Sequence, residues 1–373
     1  MAVHKFAFPT TIQFGPGARK LVAAHLKEAG CKRPLLVTDK GIAALPIVSE
    51  FRSFLSGLDL EIFSGVQGNP TVSQARAGVE AYRSHGADSV IGFGGGAALD
   101  VAKVVALMAV HPGDVLEYAW DHPRVRPIDK PLPHFVALPT TAGTGSEVGR
   151  SSVISEDDTH VKRIVFSAAL LAKAAFADPE LTLALPPGIT AATGMDALTH
   201  NIESYLSPAY HPLCDGIALE GVRIAARALP IAVKEPNNLQ ARSDMLMASM
   251  MGAIAFQKDL GAVHSCAHAL STVADLHHGL ANALMIDHVM RFNLPAAEEK
   301  MAELARVAGA SNLISFLSAL KKEIGIPDRL SVVGLKKDQI PRLVDVAIAD
   351  ICHQTNPRPC SRQDFEGLFT AAL

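Results

Sequence analysis

The 373-residue sequence lacks the features that mark several classes of protein. It has no uninterrupted apolar run of about 18 residues, the minimum for a transmembrane helix. It also has no long basic run, and its formal net charge is only −3, which argues against nucleic acid or an anionic membrane as partner. Its first residues do not combine a charged start with an apolar segment, so we expect no secretory signal and a cytoplasmic location.

Cysteine is also scarce, since there are only five, scattered along the chain and never arranged as a CxxC pair. In a reducing cytosol we expect them to be free thiols rather than disulfides. Internal repeats and low-complexity segments are absent from the sequence. Hydrophobic residues make up 49% of the chain and charged residues 19%, so a large core is feasible. The length favours two domains.

The first half of the sequence alternates short apolar runs with stretches of helical period. Such alternation, with strands that are apolar throughout, predicts a parallel sheet covered on both faces. Ligands of such sheets bind beyond the C-terminal ends of the strands. The predicted strands are 33–39, 60–66, 88–96 and 134–141, and the predicted helices are 45–57, 71–85 and 98–110.

From about residue 187 the strand pattern stops, and helical periodicity continues to the end of the chain. The helices predicted there are 189–206, 211–229, 238–257, 260–275, 280–292, 297–309, 312–324 and 337–350. The Pro-Pro-Gly run at 186–188 is a natural breaker between the two patterns. We therefore predict a Rossmann-like α/β domain over 1–186 that binds a dinucleotide and an all-helical, metal-binding domain over 187–373, with the catalytic cleft between them.

Acidic and imidazole side chains recur at helical spacing in the second half. Asp196 and His200 (GMDALTH) are four residues apart, as are His264 and His268 (GAVHSCAH), so each pair projects from one helix face. His278 follows ten residues later, in HHGLANA. One carboxylate and three imidazoles suit Fe²⁺ or Zn²⁺, which can polarise an alcohol or aldehyde oxygen. A single helical histidine is more often a packed or solvent-facing residue, but this clustering predicts a metal site.

Two loops of the first half have the composition of phosphate-binding segments. The turn GFGGGAALDVAK (92–103) has three glycines, Gly94, Gly95 and Gly96, which would let a pyrophosphate approach the start of a helix. Its spacing differs from GxGxxG, so a tight structural turn is the alternative reading. The second loop, LPTTAGTGSEV (138–148), has hydroxyls that can bond phosphate and ribose, those of Thr140, Thr141, Thr144 and Ser146.

Asp39 ends the first predicted strand. An acid at this position can accept hydrogen bonds from the adenosine ribose and repels a 2′-phosphate, so NAD is favoured over NADP. The alternative is that Asp39 is a turn or helix-capping residue.

Together these motifs resemble the iron-containing (group III) alcohol dehydrogenase family. The resemblance covers nearly the whole chain, from FGPGA (14–18) to TNPRP (355–359). Its specific parts are GGGAALDVAK, PTTAGTGSEV, GMDALTH, GAVHSCAH and HHGLANA, in the family's order and spacing. It implies a dehydroquinate synthase-like architecture, in which a dinucleotide-binding α/β domain precedes an all-helical domain and the metal and nicotinamide lie in the cleft.

The resemblance also implies roles for single residues. The family's metal ligands map onto Asp196, His200, His264 and His278, and the position of His268 implies a catalytic proton relay near the nicotinamide. Lys103 matches the family's pattern at the start of the helix after the glycine turn. The alternative, that it is a cation on the helix surface, is equally good. Ala97 stands where the family usually has serine, so one hydroxyl contact to the cofactor is missing here. The remaining implied cofactor residues are Asp100 and Lys162.

Arg150 stands where the family often has an apolar or small polar residue. A cation just after the second loop suggests a substrate with an anionic tail, and members that act on 4-hydroxybutyrate and succinate semialdehyde are most similar. The alternative is that Arg150 pairs with a structural acid such as Glu147 or Glu203. The other predicted substrate-pocket residues are Asn69, Ser151, Cys352 and His353.

We therefore predict an NAD(H)-dependent dehydrogenase, activated by Fe²⁺ or alternatively Zn²⁺, that interconverts a primary alcohol and its aldehyde. A homodimer or higher homo-oligomer is expected. One alternative is a broad-specificity primary-alcohol or polyol dehydrogenase of the glycerol type. An alternative of another class is a redox sensor that binds NADH without turnover.

Overall fold

The structure is a computed structural model that describes residue 8 and residues 10–373. Its contacts divide the described chain into two compact units. The α/β unit contains residues 10–141 and 146–182, and the helical unit contains residues 183–373 together with residue 8 and residues 142–145. The sequence-based boundary between residues 186 and 187 stays a prediction.

The α/β unit is built on a six-stranded sheet in which every pairing is parallel, in the order β1-β8-β5-β4-β2-β3. An antiparallel hairpin, β6–β7, lies outside this sheet. The strands are β1 (Thr11–Phe14), β2 (Pro34–Asp39), β3 (Glu61–Val66), β4 (Ser89–Gly94), β5 (His134–Pro139), β6 (Ser151–Ser155), β7 (Lys162–Phe166) and β8 (Ala174–Ala177).

Successive side chains of the central strands enter two separate cores, one on each face of the sheet. In β2, Leu35 and Val37 belong to one core and Leu36 to the other, as the two-residue period of a strand requires. Burial on both faces explains why the strands read as continuous apolar runs. The helices of this unit are α1 (Val22–Glu28), α2 (Lys40–Ala43), α3 (Pro46–Phe54), α4 (Val72–His85) and α5 (Gly96–Val110).

The helical unit has no strand within residues 183–373, all of which the structure describes. Its helices are α6 (Pro187–Leu206), α7 (Pro212–Lys234), α8 (Leu239–Ala255), α9 (Ala262–Ala274), α10 (His278–Val307), α11 (Leu313–Glu323), α12 (Ile340–Ala349) and α13 (Arg362–Ala372). Helix α10 is kinked, with Pro295 inside it and non-helical backbone angles at Ala297. The predicted fold, a Rossmann-like α/β domain followed by an all-helical domain, is confirmed.

No helix within the described residues has both the length and the apolar character to span a membrane.

Candidate functional sites

The four predicted metal ligands come together in the helical unit. Helix α6 presents Asp196 and His200 from one face, His264 lies in the first turn of α9, and His278 begins α10. The Nε2 atoms of the three histidines lie 3.9, 3.8 and 3.5 Å, respectively, from Oδ1 of Asp196. One carboxylate oxygen thus has three imidazole nitrogens around it, as an N₃O ligand set requires.

The environment of this cluster suits a divalent cation. Asp196, His200 and His264 are buried, and they form a group whose ligand atoms could hold one ion. Burial lowers the pKa of His200 to about 4, so its imidazole is neutral near pH 7. Within the described residues, Asp196 pairs with no lysine or arginine. A buried carboxylate without a cationic partner is costly, and a bound metal ion would supply that charge.

Two further residues of the cluster are absent from the predicted site. Asn282 lies one turn after His278 on α10 and donates from Nδ2 to Oδ1 of Asp196 at 2.7 Å. Glu203 lies seven residues after Asp196 on α6, and its Oε2 is 2.6 Å from Nδ1 of His264. Each polar residue continues the helical spacing of a predicted ligand, but its role depends on which helices pack together, and spacing alone does not show that.

His268, the predicted proton relay, is held by an acid that sequence reasoning did not identify. Its Nδ1 lies 2.7 Å from Oδ2 of Asp350, and its ring stacks on that of His278 with centroids 5.3 Å apart. Burial favours a raised pKa for Asp350, but His268 and hydrogen bonds from Ser265 and the Cys352 N–H outweigh it. The pKa of Asp350 therefore lies well below its usual range, and the residue remains a carboxylate.

The segment with Cys352 and His353 packs against α9 and α13. The N–H of His353 donates to Ser265, while Nε2 of His353 is 3.1 Å from the carbonyl of Ile348. The His353 ring also packs edge-on against the ring of Phe365. Both its polar and its aromatic contacts are therefore with other residues of this unit. Burial raises the pKa of the Cys352 thiol well above its ordinary value. Substrate contact by either residue stays a prediction.

In the α/β unit, the glycine turn joins β4 to α5 with little room for side chains. A Cβ on Gly94 would lie 2.7 Å from that of Ala98, and one on Gly95 would lie 3.2 Å from Thr141 Cγ2. Gly95 is the N-cap, so α5 begins at Gly96 with free N–H groups in its first turn. A cavity of about 500 Å³ adjoins this turn, and its lining includes Asp39, Gly95 and Ala97.

Asp39 caps a helix and lines this cavity at the same time. Its Oδ1 accepts a hydrogen bond from the Ile42 N–H at 2.8 Å, which makes it the N-cap of α2. The helix-capping alternative is therefore realised, and a role in ribose recognition is compatible with it.

Asp100, Lys103 and Ser146 form a hydrogen-bonded network, and cofactor contact by Asp100 and Ser146 stays a prediction. Ser146 donates to Asp100 at 2.6 Å, and Lys103 donates to Ser146 Oγ at 2.7 Å and to the Ser151 carbonyl at 2.6 Å. The other oxygen of Asp100 accepts from the Val153 N–H at 2.9 Å. Burial raises the pKa of Asp100 and lowers the pKa of Lys103. Lys103 is 1% exposed and is therefore no surface cation.

The hydroxyl residues of the second loop fall into both units. Thr140 and Thr141 follow β5 in the α/β unit, and Thr140 Oγ1 has no hydrogen-bond partner within the described residues. Thr144 lies in residues 142–145, which belong to the helical unit. Residue 145 must be glycine, because its φ is +59° and a Cβ added there would lie 2.3 Å from that of Ala253.

The predicted substrate cation lies at the start of the β6–β7 hairpin. The Arg150 guanidinium carbon is 5.2 Å from the ring centroid of Phe166. Within the described residues Arg150 forms no ion pair, so the expected alternative of pairing with Glu147 or Glu203 is not observed. The remaining predicted residues are Ser151 at the start of β6, Lys162 at the start of β7 and Asn69 in the loop between β3 and α4.

Comparison with known proteins extends over the whole chain. The family model described as iron-containing alcohol dehydrogenase matches residues 9–179, and the C-terminal model of the same family matches residues 190–373. A 4-hydroxybutyrate dehydrogenase from Cupriavidus necator is 37% identical over 98% of each chain. The crystal structure of a 1,3-propanediol oxidoreductase has a TM-score of 0.94 at 36% identity, covering 100% of both chains.

A third comparison is with a structure that contains the dinucleotide. The sulfoacetaldehyde reductase of Bifidobacterium kashiwanohense, solved with NAD⁺, has a TM-score of 0.90 at 29% identity and covers 100% of this chain and 99% of its own. The family suggested by the sequence motifs is thus confirmed: the protein belongs to the iron-containing alcohol dehydrogenases and is an enzyme of that family.

Proposed function

We propose that this enzyme uses NAD(H) and a divalent metal to interconvert a primary alcohol that has an anionic tail and the corresponding aldehyde. 4-Hydroxybutyrate and succinate semialdehyde are the pair we favour. The observation that carries the proposal is the convergence of three imidazole nitrogens on one buried oxygen of Asp196, at 3.5–3.9 Å.

Asp196, His200, His264 and His278 would hold the metal. When bound there, the metal supplies Lewis acidity toward the substrate oxygen. Two features of the surrounding protein favour metal binding by these side chains. Burial keeps His200 unprotonated, and Asn282 donates to Asp196 and so restrains its carboxylate. Fe²⁺ fits the family, and Zn²⁺ accepts the same set of donors.

His268 is our candidate for the group that exchanges the alcohol proton with solvent. Asp350 can only accept at the observed 2.7 Å contact, so it holds the Nδ1 proton of a neutral His268 and leaves Nε2 free. The His268 side chain is 13% exposed, which leaves it a route to solvent. An imidazole held in this tautomer can take a proton at Nε2 and return it.

The glycine turn and its cavity are our candidates for the NAD site. Free N–H groups at the start of α5 favour a pyrophosphate, and the space at Gly94 is too narrow for a side chain. Asp39, in the lining of the cavity, would accept from a ribose diol and repel a 2′-phosphate. These features favour NAD over NADP.

Arg150 supports an anionic substrate because it is a cation that no acid of the described chain neutralises. Guanidinium groups pair bidentately with carboxylates. Two of the compared proteins are named for substrates with an acidic group, 4-hydroxybutyrate and sulfoacetaldehyde. The 1,3-propanediol oxidoreductase, named for a neutral diol, favours the second candidate, a broad primary-alcohol or diol dehydrogenase.

A substrate panel with NADH after anaerobic Fe²⁺ loading tests the proposal. Succinate semialdehyde is compared with butanal on the wild-type protein and on Arg150→Met and Arg150→Lys. Loss of a desolvated charge pair costs about 2–4 kcal/mol, so Arg150→Met should lower kcat/KM for the acidic aldehyde roughly 30- to 800-fold, with little change for butanal. Arg150→Lys controls for charge and should lose less.

Equal losses for both aldehydes would favour the broad-specificity dehydrogenase. Absence of steady turnover with every aldehyde, despite NADH binding, would favour a redox sensor.

A further inference from the structure

We propose that Glu203 is a positioning residue that fixes His264 for metal binding, an inference that rests on the proposed metal site. Glu203 lies on α6, seven residues after Asp196 and three after His200, and is only 2% exposed. Residues at these spacings share a helix face. The helix that presents two of the ligands therefore also presents an acid to a third.

Glu203 reaches both the backbone and the ring of His264. Its Oε1 accepts from the Val263 N–H at 2.7 Å, and its Oε2 accepts more weakly from the His264 N–H at 3.4 Å. The same Oε2 lies 2.6 Å from Nδ1 of the His264 ring. The first N–H groups of a helix lack intrahelical partners, and the N-cap of α9, Gly261, has no side chain to serve them. Glu203 therefore caps α9 from outside.

The contact with the ring determines which nitrogen is available to a metal. A carboxylate can only accept, so Nδ1 of a neutral His264 must hold the proton and its lone pair lies on Nε2. Nε2 is the atom that lies 3.8 Å from Oδ1 of Asp196. Acids that accept from the second nitrogen of a ligating histidine fix its tautomer and increase its basicity. Glu203 thus orients His264 and adds a negative charge beside the metal site.

Gly261 lies close to the Glu203 carboxylate and leaves no room for a side chain between them. A Cβ on Gly261 would lie 2.6 Å from Oε1 of Glu203 and 2.9 Å from Oδ1 of Asn356, which itself accepts from the Ala262 N–H. The φ of Gly261 is −147°, an extended value that alanine adopts freely. Gly261→Ala therefore places a methyl group against both Glu203 and Asn356, and it offers a second probe of the contact between Glu203 and α9.

The first experiment measures metal affinity of Glu203→Gln. Its amide oxygen can still accept from Val263, but its NH₂ group cannot accept from Nδ1 of His264. Metal-free protein is titrated with Co²⁺ against a chromophoric chelator, and the visible absorption of bound Co²⁺ is recorded. We expect Kd to rise about 10- to 100-fold, with a changed Co²⁺ spectrum. The matched control is Glu220→Gln, an exposed acid on α7 paired with Arg223, which should leave both unchanged.

The second readout requires no metal. A histidine N–H donated to a buried carboxylate gives a proton NMR signal far downfield, and this signal should be present in metal-free wild type and Glu220→Gln. The signal of His264, identified by its loss in His264→Ala, should also be absent from Glu203→Gln, whereas a signal from the His268–Asp350 contact should remain in both variants. Where Glu203→Gln does not fold, Gly261→Ala takes its place, and the same rise in Kd is expected.

Two outcomes separate this proposal from the metal site itself. If the Glu203→Gln and Gly261→Ala proteins that fold bind Co²⁺ with wild-type Kd and spectrum while His264→Ala does not bind it, the role of Glu203 is overturned and the metal site stands. If His264→Ala retains wild-type affinity for Co²⁺, the ligand assignment fails, and the role of Glu203 fails with it.

Discussion

At the scale of single residues, Asp39 illustrates how one side chain can serve a fold and a ligand together. Its Oδ1 caps α2 through the Ile42 N–H, and the residue also lines the cavity beside the glycine turn. Replacement by glycine would remove the cap and the charge at once. Asparagine is as good an N-cap as aspartate, so Asp39→Asn removes the charge alone.

We expect Asp39→Asn to raise the ratio of kcat/KM with NADP to that with NAD. An acid beside a partly desolvated 2′-phosphate costs on the order of 1–3 kcal/mol, so the ratio should increase by a factor of about 5 to more than 100. Steady-state kinetics with both cofactors measures it, and thermal melting checks that the cap is retained. An unchanged ratio in a normally folded variant would contradict the proposed role.

Glu147 is a buried acid whose ionisation opposes folding. It is 1% exposed, its Oε1 has no hydrogen-bond partner within the described residues, and burial raises its pKa to about 7, against the attraction of Lys103. The folded state thus retains a proton that the unfolded state loses near pH 4.5. The stabilising contribution is complete below pH 4.5 and is lost as the pH rises to 7.

Glu147→Gln should remove this pH dependence. The free energy of unfolding of wild type, relative to the variant, should fall by roughly 2–3 kcal/mol between pH 4.5 and 7 and then level off. Denaturant unfolding at several pH values measures the difference. A difference that is constant with pH would show that folding does not raise the pKa of Glu147 above its value in the unfolded chain.

At the scale of elements, a buried ion pair attaches the β6–β7 hairpin to α5. Asp100 accepts from the Val153 N–H, and Lys103, 3.6 Å from Asp100, donates to the Ser151 carbonyl. Both partners thus lie on α5 and both reach the first strand of the hairpin. This geometry explains why the helix after the glycine turn carries two charges on a buried face.

Asp100→Asn should destabilise the protein, because it leaves the buried Lys103 ammonium without its counter-charge. Removal of one partner of a buried pair costs about 3–5 kcal/mol, and we expect a loss of that order in the free energy of unfolding. Asp345→Asn breaks an exposed pair with Arg362 and serves as the control, with an expected loss of less than about 1 kcal/mol. Equal stabilities of Asp100→Asn and wild type would mean that Lys103 is neutral in the folded protein.

The elements that periodicity predicted are those with long or fully apolar patterns. The central strands and most helices were found this way, whereas β8, with the sequence AAFA, is short and rich in alanine, which has little strand preference. The β6–β7 hairpin was missed because its polar loop has no two-residue turn signal. Helix α13 was missed although Ser361 and Asp364 form a capping box that the sequence displays.

Among the site residues too, only those with a local signal in the sequence could be predicted. Ligands four residues apart on one helix could be predicted from spacing, because that geometry is local. The roles of Glu203, Asn282 and Asp350 could not, since each depends on which helices pack together. The two helices predicted over 280–292 and 297–309 form the two parts of α10, and the helical backbone is interrupted between them at Ala297, two residues after Pro295.

At the scale of the whole molecule, the candidate metal ligands and the glycine turn belong to different compact units. Asp196, His200, His264 and His278 all lie in the helical unit, and the glycine turn and Asp39 lie in the α/β unit. Each unit has its own buried core residues. Loss of metal binding should therefore leave dinucleotide binding largely intact.

His264→Ala tests this separation. Because the outer partners of metal ligands are worth about 10- to 100-fold in affinity, loss of the ligand itself should weaken Co²⁺ binding by more than about 100-fold and abolish steady turnover. NADH affinity, measured by fluorescence titration of the same sample, should change by no more than about twofold, because the glycine turn and Asp39 belong to the other compact unit. Simultaneous loss of metal and NADH binding in a folded variant would mean that the two sites depend on each other. Retention of metal and turnover would instead exclude His264 as a ligand.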